Sequence, residues 1–224
     1  MALFVPLAPL DAQHPMILAR LNEWNAAAPV PADEILKTEI RGEAGEIYGG
    51  KADCNSSDIA IDTIEPATAD RYAFNAILRK ALRNAWFVTA KLPGCEQAPM
   101  RFMVLQNADN SLRTVRVNRG ISYAWDSLIG DTLPAAQLAA TIALERAGVT
   151  CSSNEKTILG VTRIAVGEAS VGKNVFGIRY SGSWTEVWPI EACKRTVEVS
   201  IKFTADGDGG AFTQILGDKT RILS

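Results

Sequence analysis

Val197-Glu198-Val199-Ser200-Ile201-Lys202-Phe203-Thr204 alternates apolar and polar side chains at every step. A period of two is the signature of a β-strand whose faces differ, here predicting one buried and one wet face. Around it, residues 158–166, 174–180, 183–190 and 211–216 read as further strands divided by glycine-containing turns. Short connections favour antiparallel neighbours. The last part of the chain is therefore expected to be an antiparallel meander.

Helical patterns precede it. Residues 16–25 form an amphipathic helix, a second is expected over 32–41, and 42–52, with the Gly49-Gly50 pair, reads as a loop. In 71–85, Phe74, Ile77, Leu78, Ala81, Leu82 and Ala85 share one helical face, opposite Arg79, Lys80 and Arg83. Asp131-Thr-Leu-Pro supplies helix-start chemistry for alanine-rich 135–147, and Gly148 supplies the stop. Apolar residues on nearly all sides of that helix imply burial. Helices followed by a sheet of this kind make the fold class α+β.

The cysteines divide the chain further. Cys54 and Cys95 are 41 residues apart, Cys151 and Cys193 are 42 apart, and Trp86 and Trp184 each stand nine residues before the second cysteine of a pair. An Ala-Asp turn follows each pair, at Ala108-Asp109 and Ala205-Asp206. Near-equal frames suggest duplication, and sequential pairing, one of three connectivities open to four cysteines, respects it. The expected organisation is a helical N-terminal arm (1–53), a first α+β module (54–120), a connecting helical segment (121–150) and an antiparallel β module (151–224). Each module would be stapled by its own disulfide. Four reduced thiols in a cytosolic protein are the rival reading. Zinc is poorly served, since no C-x-x-C occurs and the single histidine, His14, is far from every cysteine.

Composition narrows the chemistry. The chain of 224 residues carries 23 Lys and Arg against 25 Asp and Glu, a formal charge of −2, which offers no overall basic field for nucleic acid. One histidine leaves histidine-based catalysis or metal binding dependent on a single residue near the start of the sequence. No apolar run reaches the roughly 20 residues of a membrane-spanning helix. The opening MALFVPLAPL has no basic flank and makes a poor signal peptide, so an exported protein would have lost its signal before Met1. No phosphate-loop, nucleophile-elbow or zinc-protease motif is present, so no cofactor, metal or catalytic set is expected. Asp206-Gly-Asp-Gly-Gly lacks the later glutamate of a calcium loop and reads as a hairpin turn.

Two groups are the binding candidates. Trp184, Glu186 and Trp188 recur at every second position and so share one strand face, either in the core or as a recognition surface. Arg113, Arg116 and Arg119 precede Tyr123 and Trp125 and would meet an anionic partner, or else lie on a solvated edge strand ending at Gly120. The run from Trp184 to Cys193, with the strand and Asp-Gly turn after it, resembles uncharacterised exported proteins of Gram-negative bacteria. Those often have glycine after the cysteine, where this chain has Lys194. The resemblance covers only this C-terminal segment and implies an oxidising compartment. The function expected is a non-catalytic periplasmic or secreted binding or structural module of the cell envelope, its partner another protein or a surface polymer. The alternatives are a hydrolase using a carboxylate pair such as Glu186 and Glu198, and the cytosolic protein with free thiols.

Overall fold

A computed structural model describes residues 15–48, 58–151 and 156–223. The helices are α1 (Pro15–Ala27), α2 (Asp33–Tyr48), α3 (Arg71–Leu78) and α4 (Asp126–Arg146). In the first half the strands are β1 (Ala60–Pro66), β2 (Leu82–Leu92), β3 (Glu96–Asn107) and β4 (Leu112–Gly120). In the second they are β5 (Ile158–Leu159), β6 (Val161–Val171), β7 (Asn174–Val175), β8 (Ile178–Arg179), β9 (Gly182–Ala192), β10 (Arg195–Ala205), β11 (Ala211–Ile215) and β12 (Arg221–Leu223). The protein is α+β. Its main sheet runs β1-β2-β3-β4-β6-β9-β10-β11, with β5 beside β9 and β12 beside β10, while β7 and β8 form a separate hairpin.

Among the described residues every strand pairing is antiparallel except one. β4 meets β6 in parallel at Arg119/Val161 and Gly120/Thr162, joining two antiparallel meanders into one sheet. Gly120 has φ +88°, and a Cβ there would lie 2.1 Å from the Thr162 carbonyl oxygen, so only glycine fits the junction. The Thr162 hydroxyl donates to the Arg119 carbonyl at 2.9 Å, and the Asn118 amide donates to the Thr162 hydroxyl at 3.1 Å. β4 is thus flanked by β6 at its end and is not the free edge expected there.

Apolar cores lie on both sides of the first meander. Leu36, Ile40 and Ala44 of α2 cover Trp86, Val88, Phe102 and Val104 on one face. On the other, Ala85, Phe87, Met103 and Leu105 join a larger core with α1, α3, α4, Trp125 and the Trp184 face of the second meander. Double coverage explains the unbroken buried run 84–88, which has no polar alternation to read.

It also explains the helix predicted over 71–85. The helix stops at Leu78, Lys80 turns the chain at φ +60°, and Leu82 and Ala85 belong to β2, because their apolar side chains serve a two-faced sheet. α2 overruns the loop predicted from residue 42. Gly42 and Gly45 stay helical because Leu36, Ile40 and Ala44 keep an i, i+4, i+8 stripe buried between them. α4 begins at Asp126, five residues before the predicted start, and Pro134 lies inside it. Its length and hydropathy reach the membrane range, alone among helices in the described residues, yet it packs on β9 and β10. Leu138 and Ile142 on its outer side are exposed, contrary to the burial expected all round.

Cys151 and Cys193 form a disulfide across 42 residues, with Cα atoms 5.2 Å apart. It ties the segment after α4 to the turn between β9 and β10. Cys95, in the turn between β2 and β3, is also disulfide-bonded. The predicted pairing with Cys54 involves a position outside the described residues, as does the Gly49-Gly50 pair. The Asp206–Gly210 segment is the expected hairpin turn. Asp206 Oδ1 accepts from the Asp208 and Gly210 amides at 2.8 and 3.0 Å.

Candidate functional site

Glu186 is fully buried. Its Oε1 accepts from the Tyr123 and Ala124 amides and from Trp184 Nε1, at 2.8, 3.1 and 2.8 Å. Oε2 accepts from the Ser122 hydroxyl and Trp188 Nε1, both at 2.8 Å. Five donors fill the acceptor positions of one carboxylate. The flanking indoles are 1% and 0% exposed, and both pack on Phe203, at ring-centroid distances of 5.3 and 5.9 Å. Trp184, Glu186 and Trp188 therefore form no exposed recognition surface. They share a strand face, as expected, and α4 covers that face.

Glu198 lies on the opposite side of the sheet. It is opposite Pro189, whereas Glu186 is opposite Ile201, three residues away along β10 and thus of the other parity. Glu198 is buried between Arg163 and Arg221, at 2.8 and 3.1 Å, and Ser200 beside it is covered by the turn Gly217–Lys219. At these positions the face predicted to be wet is closed. The two glutamates cannot flank one substrate, which removes that carboxylate pair.

The three β4 arginines do not converge either. Arg113 donates to the Tyr72 hydroxyl at 2.6 Å, the Arg116 amide donates to Glu43 at 3.2 Å, and Arg119 reaches Glu96 and Glu191 at 3.3 and 3.4 Å. A register irregularity in β3–β4 puts Arg116 opposite Phe102 and Arg119 opposite Met100, while Arg113 faces Leu105. Arg119 acts as a tie between the halves.

What Glu186 organises is the Ser122–Ala124 loop, one wall of a cleft of about 550 Å³. The floor is the uncovered end of the first meander: Thr63 and Glu65 of β1, Thr89 and Lys91 of β2, Pro99 and Arg101 of β3. The opposing wall is the β7–β8 hairpin with Asn174, Gly177 and Arg179. Gly177 seats that hairpin. At φ +101°, a Cβ would meet the Ala67 Cα at 2.8 Å and the Phe87 ring at 2.9 Å, and the Ala69 amide donates to the Phe176 carbonyl beside it.

Arg101 is 8% exposed, and its guanidinium lies 4.0 Å from the Phe87 ring centroid. Nη1 donates to the Ala124 carbonyl at 3.0 Å, and Nη2 is 3.6 Å from Glu65, an ion-pair distance too long for a hydrogen bond. A guanidinium has five N–H donors, so most of this one's capacity is unspent. Burial pushes its pKa below the usual value, with Glu65 pulling the other way and Arg179 adding to the decrease. Arg179 is lowered by burial as well, again against Glu65. It lies 4.9 Å from the Tyr123 ring centroid and donates to the Gly172 carbonyl. Lys91 and Asp62 pair at the rim at 3.3 Å.

Neither Arg101 nor Arg179 stands out by spacing. The one available signal is a lone charge at the head of Met100-Arg-Phe-Met-Val-Leu, an otherwise apolar strand, where a buried cation needs a reason. A second groove lies between α3 and α4. Burial, then Asp70, raises the pKa of its Asp126 to about 6. Asp131 in the same groove is ion-paired with Arg71 at 2.8 Å. Among the described residues no three His, Cys, Asp or Glu side chains gather as metal ligands.

Comparison of the chain with protein-family models, with curated proteins and with solved structures returns no match.

Proposed function

We propose that this is a non-catalytic binding protein of an oxidising compartment, periplasmic or secreted, serving the cell envelope through the cleft between its two halves. The observation that carries the reading is the cleft itself: a concave site of ligand size at a junction, lined mostly by polar and charged side chains, with Arg101 and the Ser122–Ala124 wall held by buried supports. The Cys151–Cys193 disulfide supports the compartment. The two halves are tandem stapled modules in this reading. Each runs from a helix past a cysteine position to a strand, then into a hairpin with a cysteine in its turn. Trp86 under α2 corresponds to Trp184 under α4. α3 and the β7–β8 hairpin are the elements that differ, and the second walls the cleft.

The native chain, dialysed against a small-molecule extract of the envelope fraction, is expected to retain a compound unchanged. Thr89→Trp, which fills the floor, is expected to retain none. Chemical conversion of the retained compound, or equal retention by the variant, would overturn the binding reading. Mass analysis after alkylation without reductant, on protein from its own cells, should find no modified cysteine. Four alkylated thiols would place the protein in the cytosol instead.

A further inference from the structure

The cleft lining has a definite charge arithmetic. Arg101, Arg179 and Lys91 face Asp62 and Glu65, leaving one positive charge. Glu186 and Asp70 also act on Arg101 but lie behind the walls with amide donors of their own: five polar groups serve Glu186, and the Tyr72 and Ser127 amides serve Asp70 at 2.9 Å each. The lone excess charge resides on two guanidiniums, each fixed over an aromatic ring and each with donors to spare. Planar, preorganised donor forks suit a carboxylate, which takes two parallel N–H bonds from a single guanidinium. The two guanidiniums share one lining carboxylate, Glu65, which leaves a donor fork open to an incoming carboxylate. Tyr123, Pro99 and the exposed Ile121 add apolar wall beside the cations.

We propose that the cleft binds a small monocarboxylate with an apolar or aromatic body, its carboxylate received by Arg101 and Arg179 and its body lying against Tyr123, Pro99 and Ile121. This rests on the cleft being the binding site. Arg101 has two duties, presenting donors to the ligand and holding the Ala124 carbonyl, so that Glu186, the Ser122–Ala124 loop and the ligand site form one connected set. Glu65 competes for both guanidiniums in the empty cleft and is displaced by the incoming anion.

The test is a titration of the full-length ¹⁵N-labelled chain at low ionic strength with benzoate, phenylacetate and naphthoate, each against its neutral amide, and with inorganic phosphate. The carboxylates should bind at least about tenfold more tightly than their amides, shift arginine side-chain N–H signals, and weaken as salt is added. Arg179→Gln should abolish the preference for acid over amide. That variant gives up a hydrogen bond to a backbone carbonyl and the contact with the Tyr123 ring, both at the cleft wall, and serves as the deciding one, because Arg101→Gln also removes a core contact. Acid and amide binding alike, with Thr89→Trp abolishing both, would overturn the carboxylate while leaving the cleft as the binding site. Phosphate binding as tightly as the acids would overturn the preference for a planar carboxylate. If no probe binds and dialysis retains nothing, the binding-protein reading falls together with the carboxylate.

Discussion

Asp126 illustrates what burial does to a single group. Its carboxyl has an ordinary pKa of 3.8 and is pushed up to about 6, by burial first and Asp70 second, against the pull of Arg101. The folded state therefore holds this proton more tightly than the unfolded state. Its stabilisation is complete below about pH 3.8 and is lost as pH rises through about 6. A shift of this size, discounted for the group's partial exposure, is worth about 1 to 2 kcal/mol. Asp126→Asn removes the titration. Relative to wild type, the variant should gain about that much stability between about pH 4.5 and about pH 7.5, as measured by urea unfolding at both. A difference that stays constant across the two would show that Asp126 does not titrate there. Sequence patterning could place Trp184, Glu186 and Trp188 on one face, because period two is a property of the strand. It could not say which face was covered, because that depends on α4, which arrives from elsewhere in the chain.

At the scale of elements, the turn between β9 and β10 departs from the usual chemistry. Cys193 and Lys194 have φ of +55° and +58°, the pair of left-handed residues that two-residue hairpin turns require and that glycine at the second position accommodates best. Cysteine is fixed there by its disulfide. Lys194 has no such tie and is exposed. Lys194→Gly should relieve the left-handed strain at some cost in unfolded-state entropy, a net gain of about 0.5 to 1 kcal/mol, seen as a melting temperature higher by about 1 to 4 °C. An unchanged or lower value would mean that the lysine backbone is not strained. Alternation exposed β10 and the strands around it in the sequence because each passes between unlike environments. β2 and the end of the predicted 71–85 helix were opaque for the opposite reason. A strand buried on both faces has no period, and its residues fit a helical spacing equally well.

For the whole molecule, the continuous sheet was hidden in the sequence. Its two meanders meet through only two paired residues, Arg119 and Gly120 with Val161 and Thr162, too short a contact for any pattern to announce. The cysteine frame was legible because covalent chemistry leaves a residue type and a distance. In the chain-entropy model, closing 42 residues with the Cys151–Cys193 bond contributes about 4 kcal/mol. The double variant Cys151→Ala/Cys193→Ala should lose about that much in denaturant unfolding, and reductant should then have less left to remove. Equal stability of the variant and wild type would show that the staple does not constrain the unfolded chain.

The supports of the Ser122–Ala124 loop also impose an order in time. The carboxylate that shapes this loop follows it by more than sixty residues, and the β7–β8 wall follows it as well. A ribosome releasing the chain from its N-terminus delivers the floor of the cleft early and both of its finishing parts late. A nascent chain halted before β9 would carry every residue that lines the cleft but lack the carboxylate that fixes the Ser122–Ala124 wall, so the shape of the cleft would be completed only with the last third of synthesis.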